Sequence, residues 1–376
     1  MPETLALLLH RGGKGLVAAA RTAAGRELVR KLCELPEIDR VVVATRCPEL
    51  WDDLPVEVLV DPPGEWHFGT CLGSVVRSLK PRKLLYFSAG SGFLLSLEEL
   101  SSLVSCRPCQ PPYAVLNNFY STDFGLIVPP KPRLLEGLSR DNPLGLRLWE
   151  GGYTCYELPR SAATQLDIDT PGELQFLSLH PNLPTELAQA LAPVPTERAK
   201  AILEVLSQAG KELVLIGRVS GEAVRMLDQE AACRVRVLSE ERGMEALGRA
   251  ARGEVKSLLT LYPLQPSQLV ARLSHIADGV VWDTRVFFAA AGLWPLPEDR
   301  FSCDLLLPQE IKTPFLKELA QACLKAPIPF LLGGHSLVSG GLYLACELAW
   351  KGKDEAPDRW KPLPIQLESH ERRGGG

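Results

Sequence analysis

Two aspartates, Asp167 and Asp169, stand just before a Thr-Pro-Gly-Glu sequence at residues 170–173. Proline suits the first turn of a helix and an acidic residue suits the positions after it, so this sequence predicts a helix start preceded by carboxylates. Carboxylate oxygens are the hard ligands that Mg²⁺ takes in proteins. A third candidate, Asp123, ends a polar run that begins at Asn117. That run predicts either one wall of a ligand cleft or simply an Asx-rich turn.

A glycine-rich turn follows the first apolar run of the chain. The run Leu5–Leu9 is succeeded by Gly12, Gly13, Lys14 and Gly15. Backbone N–H groups in such a turn, together with the positive end of the next helix, can hold a phosphate. A strand-to-helix turn needs glycine in any case, so the motif is compatible both with phosphate binding and with plain turn geometry.

Two further turns of the first half place small residues before helices. Gly69 and Thr70 open a helical pattern, and Gly90 and Ser91 follow the strand pattern Leu84–Phe87. Because ligands of open α/β sheets bind outside the carboxyl ends of the strands, these four residues are predicted to lie near a bound ligand.

The second half repeats the strand–glycine–helix arrangement. Gly333, Gly334, His335 and Ser336 follow an apolar run and offer N–H groups, a hydroxyl and an imidazole to a phosphate or carboxylate. Close packing of a helix on a strand explains the glycines equally well, and a lone histidine is more often simply hydrogen-bonded.

Charged residues also follow the strand pattern Gly279–Trp282. Asp283 is placed to act as a base or metal ligand, and Arg285 is placed to clamp an anion. A salt bridge or a helix N-cap is an equally good explanation of this pair.

Short β-like runs alternate with helical patterns, which predicts an α/β protein with two doubly wound, Rossmann-like domains. The predicted strands are 5–9, 41–44, 56–60, 84–87, 125–128, 212–216, 234–238, 257–261, 279–282 and 329–332. The predicted helices are 16–35, 69–79, 97–104, 197–209, 222–230, 266–275, 314–324 and 340–350. Residues 1–180 form the first predicted domain, 181–196 a proline-rich linker, 197–350 the second domain, and 351–376 a flexible tail.

The composition of the chain indicates which kinds of binding partner and which cellular location to expect. The 376 residues are 46% hydrophobic and carry a net charge of −4, so nothing indicates nucleic acid or a membrane as partner. Ten scattered cysteines without a signal peptide indicate a cytoplasmic location, and no apolar run approaches the length of a membrane span. A homodimer is compatible with the sequence.

Residues 1–180 resemble the NTP transferases of nucleotide-diphospho-sugar fold, such as molybdenum-cofactor guanylyltransferase, 2-phospholactate guanylyltransferase and CMP-Kdo synthetase. The resemblance rests on Gly12-Gly13-Lys14, on Gly90-Ser91 followed by the apolar segment 93–100, and on Asp169-Thr-Pro with Leu174. It departs from the family pattern at Ser91, where the family has an aspartate, and in the residues around the glycine turn. No resemblance is found for residues 197–350.

The resemblance implies Mg²⁺-dependent transfer of a nucleotidyl group from an NTP to a phosphorylated or carboxylated small molecule, with release of pyrophosphate. Lys14 and Asp169 are the expected catalytic residues, and Asp169, Asp167 and Asp123 the expected metal ligands. The nucleotide would contact Gly12, Gly13, Gly15, Gly69, Thr70, Gly90 and Ser91. Two alternatives stay open: a catalytically degenerate nucleotide sensor or scaffold, and an enzyme whose chemistry lies around His335, Asp283 and Arg285.

Overall fold

The computed structural model describes residues 3–61, 66–261 and 265–353, so the tail beyond residue 353 lies outside the described residues. Two β-sheets organise the described chain. The first contains β1 Thr4–His10, β2 Arg40–Thr45, β3 Glu57–Val60, β4 Lys83–Ser88, β5 Tyr113–Leu116, β6 Phe124–Val128 and β7 Thr154–Glu157. The second contains β8 Glu212–Gly217, β9 Arg234–Ser239, β10 Gly279–Asp283 and β11 Phe330–Gly333.

The first sheet has seven strands in the order β3-β2-β1-β4-β6-β5-β7. Strands β3, β2, β1 and β4 are parallel, whereas β6 runs antiparallel to both β4 and β5. Every residue of β1 is buried, as expected of a strand with helices on both faces. The second sheet is wholly parallel in the order β11-β10-β8-β9. The predicted α/β class with doubly wound sheets is confirmed.

Helices cover the faces of the two sheets. In the part associated with the first sheet they are α1 Leu16–Glu34, α2 Phe68–Leu79, α3 Leu97–Ser105, α4 Pro132–Leu135, α5 Leu144–Glu150, α6 Ala162–Gln165, α7 Pro171–Leu177 and α8 Thr185–Leu191. The others are α9 Glu197–Leu206, α10 Gly221–Glu230, α11 Pro266–Ser274, α12 Thr284–Ala290, α13 Pro297–Asp304, α14 Pro314–Lys325 and α15 Gly340–Ala349. In the described residues, no helix has both the length and the apolar character needed to cross a bilayer.

One hydrophobic core lies between the two sheets. It joins Leu8 of β1 and Leu28 of α1 to Leu215 of β8 and Leu344 of α15. Two further cores cover the outer faces, one beneath α2 on the first sheet and one beneath α14 on the second. Whether the two sheets belong to separately folding domains stays a prediction, but their inner faces share one core.

Three sequence expectations for this fold were wrong or incomplete. The predicted strand 257–261 is a 3₁₀ turn, Leu258–Thr260, because Ser257 caps it by accepting a hydrogen bond from the N–H of Leu259. Strands β5 and β7 were not predicted. The proline-rich segment 181–196 contains α8, whose Leu187 and Leu191 are buried in the shared core, so it is not a plain linker.

Candidate functional site

A cleft opens at the carboxyl ends of β1 and β4. The chain continues from β1 to β2 and β3 on one side, whereas β4 lies on the other, so the strand order reverses between β1 and β4. Such a reversal is where open α/β sheets bind ligands. A cavity of about 330 Å³ lies there, and His10 from the end of β1 and Ser88 from the end of β4 line it.

The glycine turn between β1 and α1 forms one edge of this cavity. Gly12, Gly13 and Gly15 have φ angles of 73°, 138° and 84°, a backbone region that residues with a side chain rarely adopt. Gly15 caps α1 without a side-chain hydrogen bond, so the turn is not closed by a capping side chain. Gly12 lines the cavity, whereas Lys14 is exposed and lies outside its lining. The turn is open to solvent rather than covered by packed side chains.

Arg11, just before this turn, extends over an aromatic ring at the cavity. Its guanidinium carbon lies 3.7 Å from the centre of the Trp66 ring, a cation–π contact. Both residues line the cavity. Arg11 directly precedes the glycine turn in the sequence, whereas no motif marks Trp66.

Four aspartates line the same cavity: Asp123, Asp141, Asp167 and Asp169. Burial raises the pKa of Asp167 well above its ordinary value, and the neighbouring Asp169 and Asp123 raise it further. Burial also raises the pKa of Asp123 and of Asp141. The three aspartates expected from the sequence therefore do converge with Gly12. Asp141 was missed, because it stands in a loop without any motif.

Asp167 is the least satisfied of these carboxylates. Its Oδ1 atom is buried and has no hydrogen-bond partner. Gly90, with φ of 107°, makes room for it, since a Cβ there would lie 3.1 Å from that same oxygen. The hydroxyl of Tyr86, a fully buried residue that also lines the cavity, likewise has no partner. Unsatisfied buried polar atoms are costly, and they commonly mark a place for an ion or ligand.

Asp169 is already partly neutralised. The Nη2 atom of Arg21 lies 2.5 Å from Oδ1 of Asp169, and Arg21 also donates to the carbonyl of Ile168. Arg21 lines the cavity from α1, and no motif marked it in the sequence. Behind this pair, Glu173 accepts hydrogen bonds from the N–H groups of Asp169 and Thr170, which fixes the start of α7.

The donor set of the cavity fits Mg²⁺ in part. In the regions that the structure covers, no three His, Cys, Asp or Glu side chains come together as a ready metal-binding group. Mg²⁺ is commonly held by one or two carboxylates with water and substrate phosphates completing its shell. Asp167, with its unpartnered oxygen, and the neighbouring Asp123 fit that simpler arrangement. Asp169 fits it less well while it is paired with Arg21.

Ser91 has a structural place behind the cavity. It is buried, its hydroxyl donates to the carbonyl of Ser88 at 2.8 Å, and its backbone bridges to that of Asp167. Asn117 similarly supports Asp123, to whose carboxylate its amide donates at 3.0 Å. Both residues therefore hold aspartates in position rather than face the cavity.

Gly69 and Thr70 lie away from the cavity lining. A Cβ on Gly69 would meet the carbonyl oxygen of Leu135 at 2.0 Å, so the glycine allows α2 to pack on α4. Thr70 is exposed, and its backbone N–H donates to Nδ1 of His67 at the N-terminus of α2. The structure does not bring these two residues to the glycine turn at residues 12–15.

The second sheet also reaches this cavity. Arg218 at the end of β8, Glu245 and His335 line it together with the first-sheet residues. Burial and the nearby Arg218 lower the pKa of His335 to about 4, so its imidazole is neutral near pH 7. Of the six candidates Gly333, Gly334, His335, Ser336, Asp283 and Arg285, His335 alone is among the residues that line the cavity.

The other candidates of the second half serve the fold. Arg285 is buried in a bidentate ion pair with Asp304, at 2.7 and 2.6 Å, so it is not available as an anion clamp. Asp283 is buried, pairs with Arg218 and caps α12. Their expected roles in chemistry are therefore replaced by the salt-bridge and N-cap explanations.

The glycine turn after β11 is used for packing against the first half. A Cβ on Gly333 would lie 2.9 Å from the Leu337 side chain, and the N–H of Gly334 donates to the Thr170 hydroxyl at 3.2 Å. The hydroxyl of Ser336 donates to the carbonyl oxygen of Asp167. These groups hold residues 167–170 of the first half, here called the acidic turn, rather than a ligand.

Comparison with known proteins gives likeness of shape only. No known protein family matches the chain, and no curated protein matches it. A CMP:2-keto-3-deoxy-manno-octonic acid synthetase complexed with CTP is 10% identical, with a TM-score of 0.35, over 46% of this chain and 96% of its own. A cytidylyltransferase from Leptospira borgpetersenii is 14% identical, with a TM-score of 0.39, over 51% of this chain and 93% of its own.

A nucleotidyl transferase from Methanothermobacter thermautotroptrophicus is 15% identical, with a TM-score of 0.33, over 43% of this chain and 90% of its own. These neighbours are nucleotidyltransferases, the class that residues 1–180 resemble, and each covers about half of this chain. With TM-scores this low, the likeness says nothing about what this chain binds.

Proposed function

We propose that the chain transfers a nucleotidyl group from a nucleoside triphosphate to a phosphorylated or carboxylated small molecule, with Mg²⁺ and with release of pyrophosphate. The observation that supports this most is the position of Asp167. Its unpartnered carboxylate oxygen belongs to a residue that lines the same cavity as Gly12, at the strand-order reversal of the first sheet. The proposal includes a cytoplasmic location, which agrees with ten cysteines that are all free thiols.

The proposed roles follow from charge and position. The triphosphate lies along Gly12, Gly13 and Gly15, where backbone N–H groups and the N-terminus of α1 face it, and Lys14 and Arg11 add positive charge. Asp167 and Asp123 would hold Mg²⁺, which supplies neutralisation of the phosphate charge when bound.

The acceptor's oxygen attacks the α-phosphorus, the bond to the β-phosphate oxygen breaks, and pyrophosphate leaves. Nearly all of the protein's work in such a transfer is positioning and charge stabilisation. We assign Arg21 to positioning, because its ion pair fixes Asp169 beside the cavity.

Pyrophosphate release from each of the four common NTPs tests this proposal, with Mg²⁺ and a panel of sugar acids and phosphate esters as acceptors. Asp167→Asn keeps the shape of the side chain and removes its charge. We expect it to lower turnover by roughly 100-fold or more, as loss of a charge-stabilising group does. Asp228→Asn, on the exposed face of α10, is the matched control and should keep full activity. Equal turnover by the wild type and Asp167→Asn contradicts the assignment.

A second candidate is a nucleotide-binding protein without transfer activity. Two observations favour it. Where the resembled family has a carboxylate, this chain has Ser91, whose hydroxyl donates to backbone carbonyls. In addition, Asp169 is paired with Arg21. Equilibrium dialysis of NTP with Mg²⁺ separates the candidates. Binding that depends on Lys14 and Asp167, without pyrophosphate from any acceptor, identifies the non-catalytic protein.

A further inference from the structure

The second sheet has its own strand-order reversal, and this reversal faces the same cavity. The chain passes from β8 to β9 on one side, and β10 and β11 lie on the other. Arg218 follows β8 and Asp283 ends β10, so their ion pair sits where an open parallel sheet binds ligands. Two ligand-binding edges, one from each sheet, therefore meet at one cleft.

Arg218 is a fixed cation at this edge. Its Nε and Nη2 atoms lie 2.5 and 3.1 Å from the two carboxylate oxygens of Asp283, which is fully buried. This fork holds the guanidinium plane, and Nη1 makes no hydrogen bond or ion pair to any residue that the structure describes. The adjacent His335 is a neutral imidazole near pH 7. Its single N–H can donate a hydrogen bond to an anion.

A second arginine at the cavity is occupied by a carboxylate from the opposite half. Nη1 of Arg140 lies 2.8 Å from Oε2 of Glu245, and the two residues stand 105 positions apart in the chain. Both line the cavity, and their side chains are 53% and 32% exposed. An ion pair this open to water is weak, so an anionic ligand can replace Glu245 on Arg140.

We propose that Arg218 and Arg140 form an anion subsite built across the two halves, with Glu245 as its internal occupant until a ligand arrives. Its ligand is the phosphate or carboxylate group of a small molecule. That this molecule is the acceptor of nucleotidyl transfer rests on the proposed function. The subsite itself rests only on the charges and the cavity.

The test is binding of inorganic phosphate, and separately of acetate, to the full chain by isothermal titration calorimetry at constant ionic strength. Glu245→Gln removes the internal competitor and should lower the dissociation constant about 3- to 5-fold, the range expected when a weak exposed ion pair is lost. Arg140→Gln should raise it at least about 5-fold, since a charge-assisted hydrogen bond is lost. One of the two probes, phosphate or acetate, should bind more tightly to Glu245→Gln and more weakly to Arg140→Gln. That probe identifies the anionic group of the ligand.

Matched controls come from the exposed pair Arg225–Glu222 on α10, at 3.3 Å and outside the cavity. Arg225→Gln and Glu222→Gln should leave both dissociation constants unchanged. Arg218→Lys keeps a charge beside Asp283 but removes the Nη1 donor. It should therefore weaken binding as Arg140→Gln does, while thermal unfolding shows an intact fold. An undetectable heat for both anions, or equal affinity in Glu245→Gln and Arg140→Gln, overturns the subsite.

NTP binding measured on the same variants separates this inference from the proposed function. Arg140 and Glu245 are not among the groups assigned to the triphosphate, so NTP affinity should change less in Arg140→Gln and Glu245→Gln than the affinity for the small anion does. If the opposite responses appear but no NTP releases pyrophosphate, the subsite stands and the transfer reaction fails. If pyrophosphate is released but the responses are absent, the acceptor's anion binds elsewhere and the subsite is wrong.

Discussion

The charge state of single carboxylates decides how stable the acidic turn is. Glu173 is fully buried, and burial raises its pKa to about 7, even though hydrogen bonds from Thr170 favour the ionised form. Burial raises the pKa of Asp167 in the same direction. The folded chain therefore retains protons that the unfolded chain has already lost. For such a group, stability is present at low pH and is lost as the pH rises through the folded pKa.

Glu173→Gln isolates this effect, because the amide keeps an oxygen for the N–H groups of Asp169 and Thr170. Relative to this variant, the wild type should lose stability between about pH 4.5 and pH 7, by up to about 1.4 kcal/mol for each pH unit. Melting temperatures measured by circular dichroism across that range check the sign. A gap between the two proteins that stays constant with pH contradicts the shifted pKa.

The residues of the site differ in how far the sequence could identify them. Asp167, Asp169 and the glycine turn carry a local pattern, because a helix start and a strand-to-helix turn each need particular neighbours. Asp141, Arg21 and Trp66 carry none, since only the fold places them together. Ser91 and Gly90 were recognised as special positions, but the structure gives them support of Asp167 rather than contact with the cavity.

At the scale of elements, close approaches between helices and backbone decide where glycine is required. Gly340 is the first residue of α15, and a Cβ there would lie 2.2 Å from the carbonyl oxygen of Gln165 and 2.4 Å from Cα of Leu166. Neither atom can move without displacing the backbone after α6. Gly221 is likewise the first residue of α10, but a Cβ there would meet nothing within 4 Å.

Gly340→Ala should therefore lower the free energy of unfolding by about 1–3 kcal/mol, the usual cost of overpacking. Gly221→Ala should change it by no more than about 0.5 kcal/mol, because the surface position tolerates the methyl group. Chemical denaturation of both variants beside the wild type measures the difference. Similar losses in the two would mean that helix-start geometry, not the contact with residues 165–166, sets the requirement for glycine.

Most elements of both sheets follow from the alternation of apolar strands with helical patterns. Predicted strands such as 84–87 and helices such as 314–324 agree with β4 and α14 to within a residue or so at each end. The prediction failed where contacts with distant residues outweigh the local pattern. Residues 257–261 are apolar enough for a strand, but the Ser257 hydroxyl donates to Glu240. The same hydroxyl caps the 3₁₀ turn that follows it. Strand β7 was missed because it has no buried apolar run: three of its four residues are exposed.

For the whole molecule, the shared core is the feature that composition and pattern could not predict. The apolar faces of α9 and α15 are visible in the sequence, but which surface they cover depends on contacts between distant segments. Gly172 of α7 packs so closely on the second sheet that a Cβ would lie 2.6 Å from the carbonyl oxygen of Leu332. The sequence indicated two domains, and it gave no sign that residues at the strand ends of both would line one cavity.

This shared core predicts that the two halves unfold together. Removing either half exposes the apolar residues of one continuous cluster to water. This exposure lowers the free energy of unfolding of the half that remains. We expect one calorimetric transition for the full chain and a single shift of that transition when NTP and Mg²⁺ are added. Two well-separated transitions, with only one of them moved by nucleotide, would show instead that the sheets fold as independent domains.

The hydroxyl of Ser336 donates to the carbonyl of Asp167, and the Thr170 hydroxyl accepts from the N–H of Gly334. Through these two hydrogen bonds the loop after β11 helps to hold the backbone that carries Asp167 and Asp169. A chimera that grafts a foreign C-terminal half onto residues 1–180 would therefore misalign the acidic turn even where every residue of the first half is retained. A substitution in the loop after β11 would therefore act on the carboxylates of the first half without touching them.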